Sequence, residues 1–216
     1  MQAQELSERQ MQLVAVAMRI LASEGPRRFT AQRLAEDVGL TPGAIYNHFD
    51  SMEAIVDAVV DHMGASLFEG FPPKADDPIT RLELFFRRRA RDILANPHIS
   101  RLLLTDYLAQ AAGASRADRV EDFKRRTQQF VIGCLREAAE NGLLALDVSP
   151  AAGAIIVVGA VLSLSHAGTP IADASKLEHL FDEIWQAIER MLRRAPRARR
   201  SCNRRASDMA EVTRTR

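Results

Sequence analysis

Apolar residues recur every three or four positions along most of the chain, which is the period of an α-helix with one buried face. The first apolar stripe runs from Leu13 to Leu21 and stops at Gly25-Pro26, a pair that ends helices. No segment alternates apolar and polar residues in the manner of a β-strand. The pattern therefore predicts an all-α protein with nine helices.

Two short helices follow the first one. Thr30 stands where an N-cap belongs, and Gly39 stands where a helix ends in the left-handed conformation. Thr41-Pro42 repeats the start signal, because a hydroxyl at the N-cap and a proline at the first helical position both suit a helix beginning. The pattern predicts a helix-turn-helix at about residues 30–49, inside a three-helix domain of residues 8–52.

A second, larger helical domain is predicted for residues 53–195. This domain begins within a fourth helix. That helix is capped by Asp50-Ser51 and ends near Gly70. Glycine and proline separate five further helical stretches, at about 79–95, 98–112, 116–141, 149–167 and 174–194. The last segment, 196–216, is Arg-rich and has no periodicity, so it is predicted to be disordered.

Composition narrows the class of protein. The chain has 216 residues, of which 47% are hydrophobic, and this is enough for a substantial buried core. The two cysteines, Cys134 and Cys202, can form neither a disulfide framework nor a metal cage, which favours a reducing compartment. The N-terminus lacks a signal sequence, and the most apolar stretch, 151–165, is too short to cross a bilayer. We expect a cytoplasmic protein with no metal, no cofactor and no membrane contact.

The overall charge gives no support to a nucleic-acid partner. The net charge of +1 combines +5 in residues 196–216 with −4 in the rest of the chain. Residues 1–50 alone sum to −1, which counts against DNA binding. We interpret the Arg-rich tail as solvated and without a role; the alternative is that it adds nonspecific attraction to phosphates.

Local geometry outweighs the charge. Two short helices joined by a tight turn would place the start of the second in a major groove, which is about as wide as a helix. The segment TAQRLAEDVGLTPGAIYNHFDSMEAI resembles the N-terminal signature of the TetR family of transcriptional regulators, and the likeness extends from about residue 10 to 60. The alternative is a capped helical hairpin with no role in DNA binding. The rest of the chain resembles the family only in its architecture.

The resemblance implies a DNA-contacting set within the motif: Thr30, Arg33, Thr41, Pro42, Gly43, Ala44, Tyr46, Asn47 and His48. The two threonines, the tyrosine and the histidine would contact phosphates, while the remaining side chains would face bases, with Arg33 and Asn47 as the hydrogen-bonding readers. Gly43 has no side chain, so the backbone can approach the DNA closely. The sequence departs from the family at Met52, where a lysine is usual, and in an N-terminal arm whose one arginine is Arg9.

The larger domain contains candidates for a ligand pocket. The fifth predicted helix places Arg89 on its apolar stripe, where it would meet a polar or anionic ligand. A simpler interpretation is that Arg89 reaches solvent or pairs with an acid such as Asp106. The resemblance implies a small-molecule cavity among the fourth to eighth helices, although the apolar rows there also suit an ordinary core. The candidates are Arg89, Leu103, Tyr107, Phe123, Thr127 and Phe130.

The last two predicted helices suggest a homodimer. The eighth is rich in small residues, and the ninth has an apolar face wider than one neighbouring helix requires. Two such helices from each subunit would form a two-fold four-helix bundle. The alternative is that both helices are buried within one subunit. The interface candidates are Ile155, Gly159, Leu162, Phe181, Ile184, Trp185 and Ile188.

These patterns favour a regulator over an enzyme. The chain has no P-loop, dinucleotide-binding turn, HExxH or GxSxG motif, and its histidines and cysteines have no metal-ligand spacing. We expect a homodimeric repressor that an unknown small molecule releases from palindromic double-stranded operator DNA, and that lies at the nucleoid when it binds DNA. A ligand-independent DNA-binding or architectural protein is the alternative, and an enzyme on a helical bundle is the third hypothesis.

Overall fold

The computed structural model describes residues 6–112, 114–164 and 174–194. Within these ranges it contains no β-strand, only one isolated bridge between Leu144 and Arg193. The all-α fold class is thus confirmed. The helices of the described residues are α1 (Glu8–Glu24), α2 (Ala31–Val38), α3 (Pro42–Ile45), α4 (Met52–Phe68), α5 (Pro78–Ala95), α6 (Pro97–Leu104), α7 (Tyr107–Ala112), α8 (Ala114–Glu140), α9 (Pro150–Leu164) and α10 (Ala174–Leu192). The predicted disordered segment, 196–216, lies outside the described residues.

The predicted helix starts are formed by side-chain caps. The Thr30 hydroxyl accepts a hydrogen bond from the backbone N–H of Arg33 at 3.2 Å, and Thr41 accepts one from Ala44 at 3.3 Å. Gly39 ends α2 with a φ of 66°, the left-handed conformation that glycine adopts without strain. Each cap stabilises its helix by about 1 kcal/mol. The turn between α2 and α3 is therefore fixed from both sides.

One predicted helix is two helices in the structure. The stretch 98–112 divides into α6 and α7 because Thr105 is extended, with φ −120° and ψ 160°. Its hydroxyl donates to the Arg101 carbonyl at 3.0 Å, a local bond that competes with helical pairing. The described residues therefore contain ten α-helices where nine were predicted.

Two clusters of buried side chains form the interior. The first joins α1 to α4 with buried residues of α6, α7 and the start of α8, including Leu102 and Leu108. The second joins α5, the later part of α8, α9 and α10, with Phe86 and Trp185 among its largest buried side chains. Helix α4 packs in the first cluster. The predicted division between domains at residues 52 and 53 stays a prediction. None of the described helices is long and apolar enough to cross a membrane.

Cys134 lies in the second cluster, where burial raises the pKa of its thiol to about 11. The thiolate, which is the reactive form, is therefore scarce at neutral pH. In a Cys202→Ser variant, we expect iodoacetamide to label native Cys134 at least about tenfold more slowly than the protein unfolded in guanidinium chloride. Mass spectrometry of the labelled peptide gives both rates, and equal rates would contradict the burial of this thiol.

Candidate functional site

The segment from Thr41 to Phe49 presents one exposed edge of the first domain. Ile45 and Phe49 point into the core, which fixes the orientation of α3. The predicted DNA-contacting residues on this segment are exposed, except that two are half-buried, Ala44 and His48. Tyr46 is 47% exposed although it is a large aromatic residue. An exposed aromatic side chain beside exposed polar groups on a rigid turn is suited to contact a partner.

Helix α1 braces this segment through two side chains whose roles the sequence did not reveal. The Gln10 side-chain amide donates to the His48 carbonyl at 2.9 Å. The Arg9 guanidinium donates to the Val38 carbonyl at 3.2 Å, which satisfies a carbonyl left free at the end of α2. The capping box of Ser7 and Gln10 begins α1 at this point, and it is the sequence signal that could have located this contact.

Arg33, predicted to read bases, is engaged in ion pairs in this structure. Its guanidinium donates to both carboxylate oxygens of Glu24, at 2.8 and 3.0 Å, and also pairs with Asp37. The hydrogen bond from Arg33 holds the pKa of the Glu24 carboxyl below its usual value. The pair with Glu24 ties α2 to the end of α1, and the pair with Asp37 lies within α2. A base contact by Arg33 would exchange these acidic partners for DNA, so that role stays a prediction.

A cavity of about 530 Å³ lies between α4, α5, α6, α8 and α9. Four of the predicted pocket residues line it, namely Arg89, Leu103, Phe123 and Thr127. Tyr107 instead packs against the first core. Phe130 packs against Phe71 and Phe85, with ring centroids 4.9 and 5.6 Å away. Neither Tyr107 nor Phe130 lines the cavity, although Phe130 packs against Phe85, which does.

The cavity wall is apolar except for a few polar groups. Arg89 is 6% exposed, and among the described residues neither of its Nη atoms has a hydrogen-bond partner. The acid nearest to it is Asp92, 3.8 Å from Nη1, rather than the Asp106 that we considered from the sequence. Burial lowers the pKa of Arg89 to about 10, so the side chain stays charged at neutral pH. Its guanidinium also lies 5.7 Å from the ring centroids of Phe68 and Phe85.

The predicted dimer residues divide into two groups. Phe181, Trp185 and Ile188 are 0 to 3% exposed and lie in the subunit's own core, so they are already covered without a partner. Ile155 is 75% exposed, whereas Gly159, Leu162 and Ile184 are half-buried. The three candidates on α9, Ile155, Gly159 and Leu162, also line the cavity.

Helix α4 connects the cavity with the first domain. Ser66 and Leu67 near its C-terminal end line the cavity, while Ile55 and Val56 near its N-terminal end pack in the first core. No cluster of three or more His, Cys, Asp or Glu side chains that could bind a metal occurs among the described residues.

Comparisons with known proteins agree with this arrangement. The model of the family described as bacterial regulatory proteins, tetR family, matches residues 13–59. The HTH-type transcriptional repressor KstR2 of Mycobacterium tuberculosis is 24% identical over 149 residues, which are 68% of this chain and 74% of KstR2. The nucleoid occlusion factor SlmA of Alteromonas mediterranea is 25% identical over 197 residues, which are 88% of this chain and 99% of SlmA.

Solved structures show the same fold over most of the chain. The structure of KstR2 from Mycobacterium tuberculosis has a TM-score of 0.74 at 18% identity and covers 89% of this chain and 99% of its own. AibR, crystallised with isovaleryl coenzyme A and operator DNA, has a TM-score of 0.66 at 19% identity and covers 86% of this chain and 98% of its own. An N-terminal helix-turn-helix followed by a larger helical domain is the fold that these chains share.

Proposed function

Because the chain belongs to the TetR family of DNA-binding transcriptional regulators, we propose that it is a homodimeric repressor that leaves a palindromic operator when a small molecule fills its cavity. The observation that carries this proposal is the exposed edge at Thr41 to His48, held rigid by α1 and connected through α4 to a cavity. We place this function in the cytoplasm, at the nucleoid when DNA is bound.

DNA recognition is assigned to the exposed side chains of the α3 segment. Asn47 has the amide geometry that pairs with the N6 and N7 atoms of adenine in the major groove. We assign Tyr46 and His48 to phosphates on either side of that contact, where they would fix the register without reading sequence. The caps and buried Ile45 keep this segment in one conformation, so little entropy is lost when it binds.

Dimerisation would provide the second reading segment. Two helix-turn-helix units bind successive major grooves on one DNA face only when they are about one helical turn apart, roughly 34 Å. We assign the interface to α9 and α10, with the exposed Ile155 at its centre. The same helix contributes Ile155, Gly159 and Leu162 to the cavity wall. A ligand that moved α9 would therefore change the spacing between the two reading segments.

Ligand control requires a molecule that binds one spacing better than the other, because equal affinities would shift nothing. The cavity has the size of small-molecule sites, which span about 300 to 1,000 Å³. AibR, which has the same fold, was crystallised with both an acyl thioester and operator DNA. The wall residues Ser66 and Leu67 give the ligand a direct path to α4 and the first domain.

A ligand-independent DNA-binding protein is the second candidate. The observation that favours it is the likeness to SlmA, named a nucleoid occlusion factor, over 88% of this chain. Two results would support this candidate over the repressor. The protein would bind many sites along a chromosome, and no small-molecule extract would release it from DNA.

The test is selection of genomic fragments by the purified protein at near-physiological salt, followed by titration of the enriched site. We expect a palindromic site, and we expect a Tyr46→Ala/Asn47→Ala variant to bind it at least about 30-fold more weakly, because a bidentate base contact and a phosphate contact are lost. Asn141→Ala removes an exposed asparagine from the turn after α8 and should bind like the unchanged protein. No enriched sequence, or equal binding by the double variant, would refute the assignment.

A further inference from the structure

The Arg89 side chain is a buried cation whose two Nη atoms have no hydrogen-bond partner among the described residues. Its nearest acid oxygen, Asp92 Oδ2, is 3.8 Å away and therefore makes only a long ion pair. A buried guanidinium normally satisfies its five N–H donors, because leaving a charged donor unpaired is costly. The depressed pKa of Arg89, about 10, has burial as its largest cause and reflects the same missing compensation. A charged donor without an acceptor in a cavity wall is suited to bind an anionic group of a ligand.

Ser100 adds a second unpartnered polar group to the same wall. It is 1% exposed, and among the described residues its hydroxyl has no hydrogen-bond partner. Ser100 lies on α6 and Arg89 on α5, so the two polar groups reach the cavity from different helices. Two buried donors without partners in one wall are rare in a folded protein and indicate a site built for a polar group.

The formal charges near Arg89 balance, but among the described residues no carboxylate hydrogen-bonds to its Nη atoms. Asp92 Oδ2 lies 3.8 Å from both Arg88 Nε and Arg89 Nη1, so one carboxylate is shared by two guanidinium groups. Glu69 also pairs with Arg88, but its side chain is 80% exposed and strongly solvated. The lysine in the wall, Lys124, has its own partner in Glu121 at 3.4 Å. Arg88 is itself 40% exposed, so the buried charges of this group are Arg89 and Asp92, and their 3.8 Å separation leaves the Arg89 Nη donors open to a closer anionic partner.

The rest of the cavity favours a ligand that is mostly apolar. Most of its lining is aliphatic or aromatic, with Leu67, Ile93, Leu103, Phe123 and Val158 as examples. An apolar surface of this kind contributes roughly 25 cal/mol for each Å² that a ligand buries. A molecule that fills about 530 Å³ beside one buried cation would thus need a long apolar part and a single anionic end.

From this arrangement we infer that the cavity binds an apolar carboxylic acid, with its carboxylate on Arg89 and the Ser100 hydroxyl as a second donor. Arginine is suited to this task because its planar donor pair matches the two carboxylate oxygens. The inference rests on the proposed ligand-responsive function and names the class of molecule that the site takes.

The test is calorimetric titration of the full-length protein with three probes that share one apolar chain: decanoate, decanol and decanoyl coenzyme A. We expect decanoate to bind at least about tenfold more tightly than decanol, since a hydrogen-bonded charge pair contributes more than a neutral contact. Arg89→Met should remove this preference by weakening decanoate binding about tenfold while decanol binding is kept. Arg89→Lys retains the charge without the paired donors and should show an intermediate preference.

The matched control is Arg136→Met, which removes an exposed arginine from α8 and should keep the full preference for decanoate. Circular dichroism verifies that each variant is folded. If Arg89→Met does not fold, the comparison is made with Arg89→Lys. Equal binding of decanoate and decanol by the unchanged protein would overturn the inference, as would a preference that survives at Arg89→Met. If decanoyl coenzyme A bound most tightly of the three probes, and equally well to Arg89→Met, the inference would be overturned and the ligand would be a thioester. Operator binding by the unchanged protein is measured in parallel, so a failure here is separated from a failure of the regulator itself.

Discussion

Replacing Ile155 with aspartate should break the proposed dimer into monomers and weaken operator binding by about 100-fold or more. Ile155 is 75% exposed on α9, so a charge at this position leaves the core of the subunit intact. In a two-fold interface both subunits contribute residue 155. The substitution would therefore bury two unpaired carboxylates in each dimer. A monomer binds only one half-site, and the gain from linking two binding segments is lost.

Sedimentation velocity and titration of a palindromic operator measure the two effects of Ile155→Asp separately. The matched control is Leu146→Asp in the turn between α8 and α9, since Leu146 is also a large apolar residue and is 83% exposed. We expect this control to remain dimeric and to bind the operator normally. A dimer that tolerates aspartate at position 155 as well as at 146 would show that α9 is not the interface.

The first helices could be predicted from the sequence because the residues that begin and end them act locally. Thr30, Gly39 and Thr41-Pro42 define helix ends through their own backbone and side-chain chemistry, whatever the rest of the fold does. The buried pair of Ile45 and Phe49 then follows from helical periodicity alone. Local signals of this kind predicted the caps at which α2 and α3 begin.

The break between α6 and α7 was missed because no glycine or proline marks it. Thr105-Asp106 is the signal that was available: a threonine that bonds back to a carbonyl, and an aspartate of the type that begins helices. Within an otherwise apolar stretch these two residues also suit a continuous helix. Helical periodicity alone does not mark a break that no glycine or proline accompanies.

The cavity and the interface depend on which helices meet, and a single sequence does not contain that information. Periodicity placed Arg89 on an inward face correctly, but its neighbouring acid is Asp92, one turn along the same helix, and not Asp106. The apolar face of α10 was also identified, yet its width could not show that Trp185 packs against Phe86 of its own subunit, with ring centroids 5.8 Å apart. An apolar stripe shows that a helix face is buried, but it does not show which surface packs against that face.

A second contact gives the cavity a mechanical connection to α4. Gly64 of α4 faces the Phe123 ring of α8, and a Cβ atom at Gly64 would lie 2.9 Å from the Phe123 Cζ atom. Phe123 also lines the cavity and packs against Phe68, with ring centroids 5.7 Å apart. The absence of a side chain at position 64 is therefore what lets α4 and α8 approach this closely. A ligand that displaces Phe123 would act on α4 directly.

Gly64→Ala should lower the free energy of unfolding and weaken operator binding. Alanine in place of glycine favours a helix by about 1 kcal/mol, but forcing a methyl group into a packed contact costs about 1 to 3 kcal/mol. We expect a net fall in melting temperature of up to about 8 °C, since 1 kcal/mol corresponds to about 2 to 4 °C in a chain of this size. Pushing α4 and α8 apart imitates a ligand that displaces Phe123, so operator affinity should fall about tenfold without any ligand.

The matched control is Gly133→Ala, because Gly133 lies inside α8 and a Cβ atom added there would have nothing within 4 Å among the described residues. This variant keeps the gain in helix propensity and adds no clash, so its melting temperature should rise by about 2 to 4 °C while operator binding is unchanged. Shifts of opposite sign would assign the effect at position 64 to the contact with Phe123. If both variants were stabilised and bound the operator equally, the contact between Gly64 and Phe123 would not couple the cavity to the DNA-binding segment.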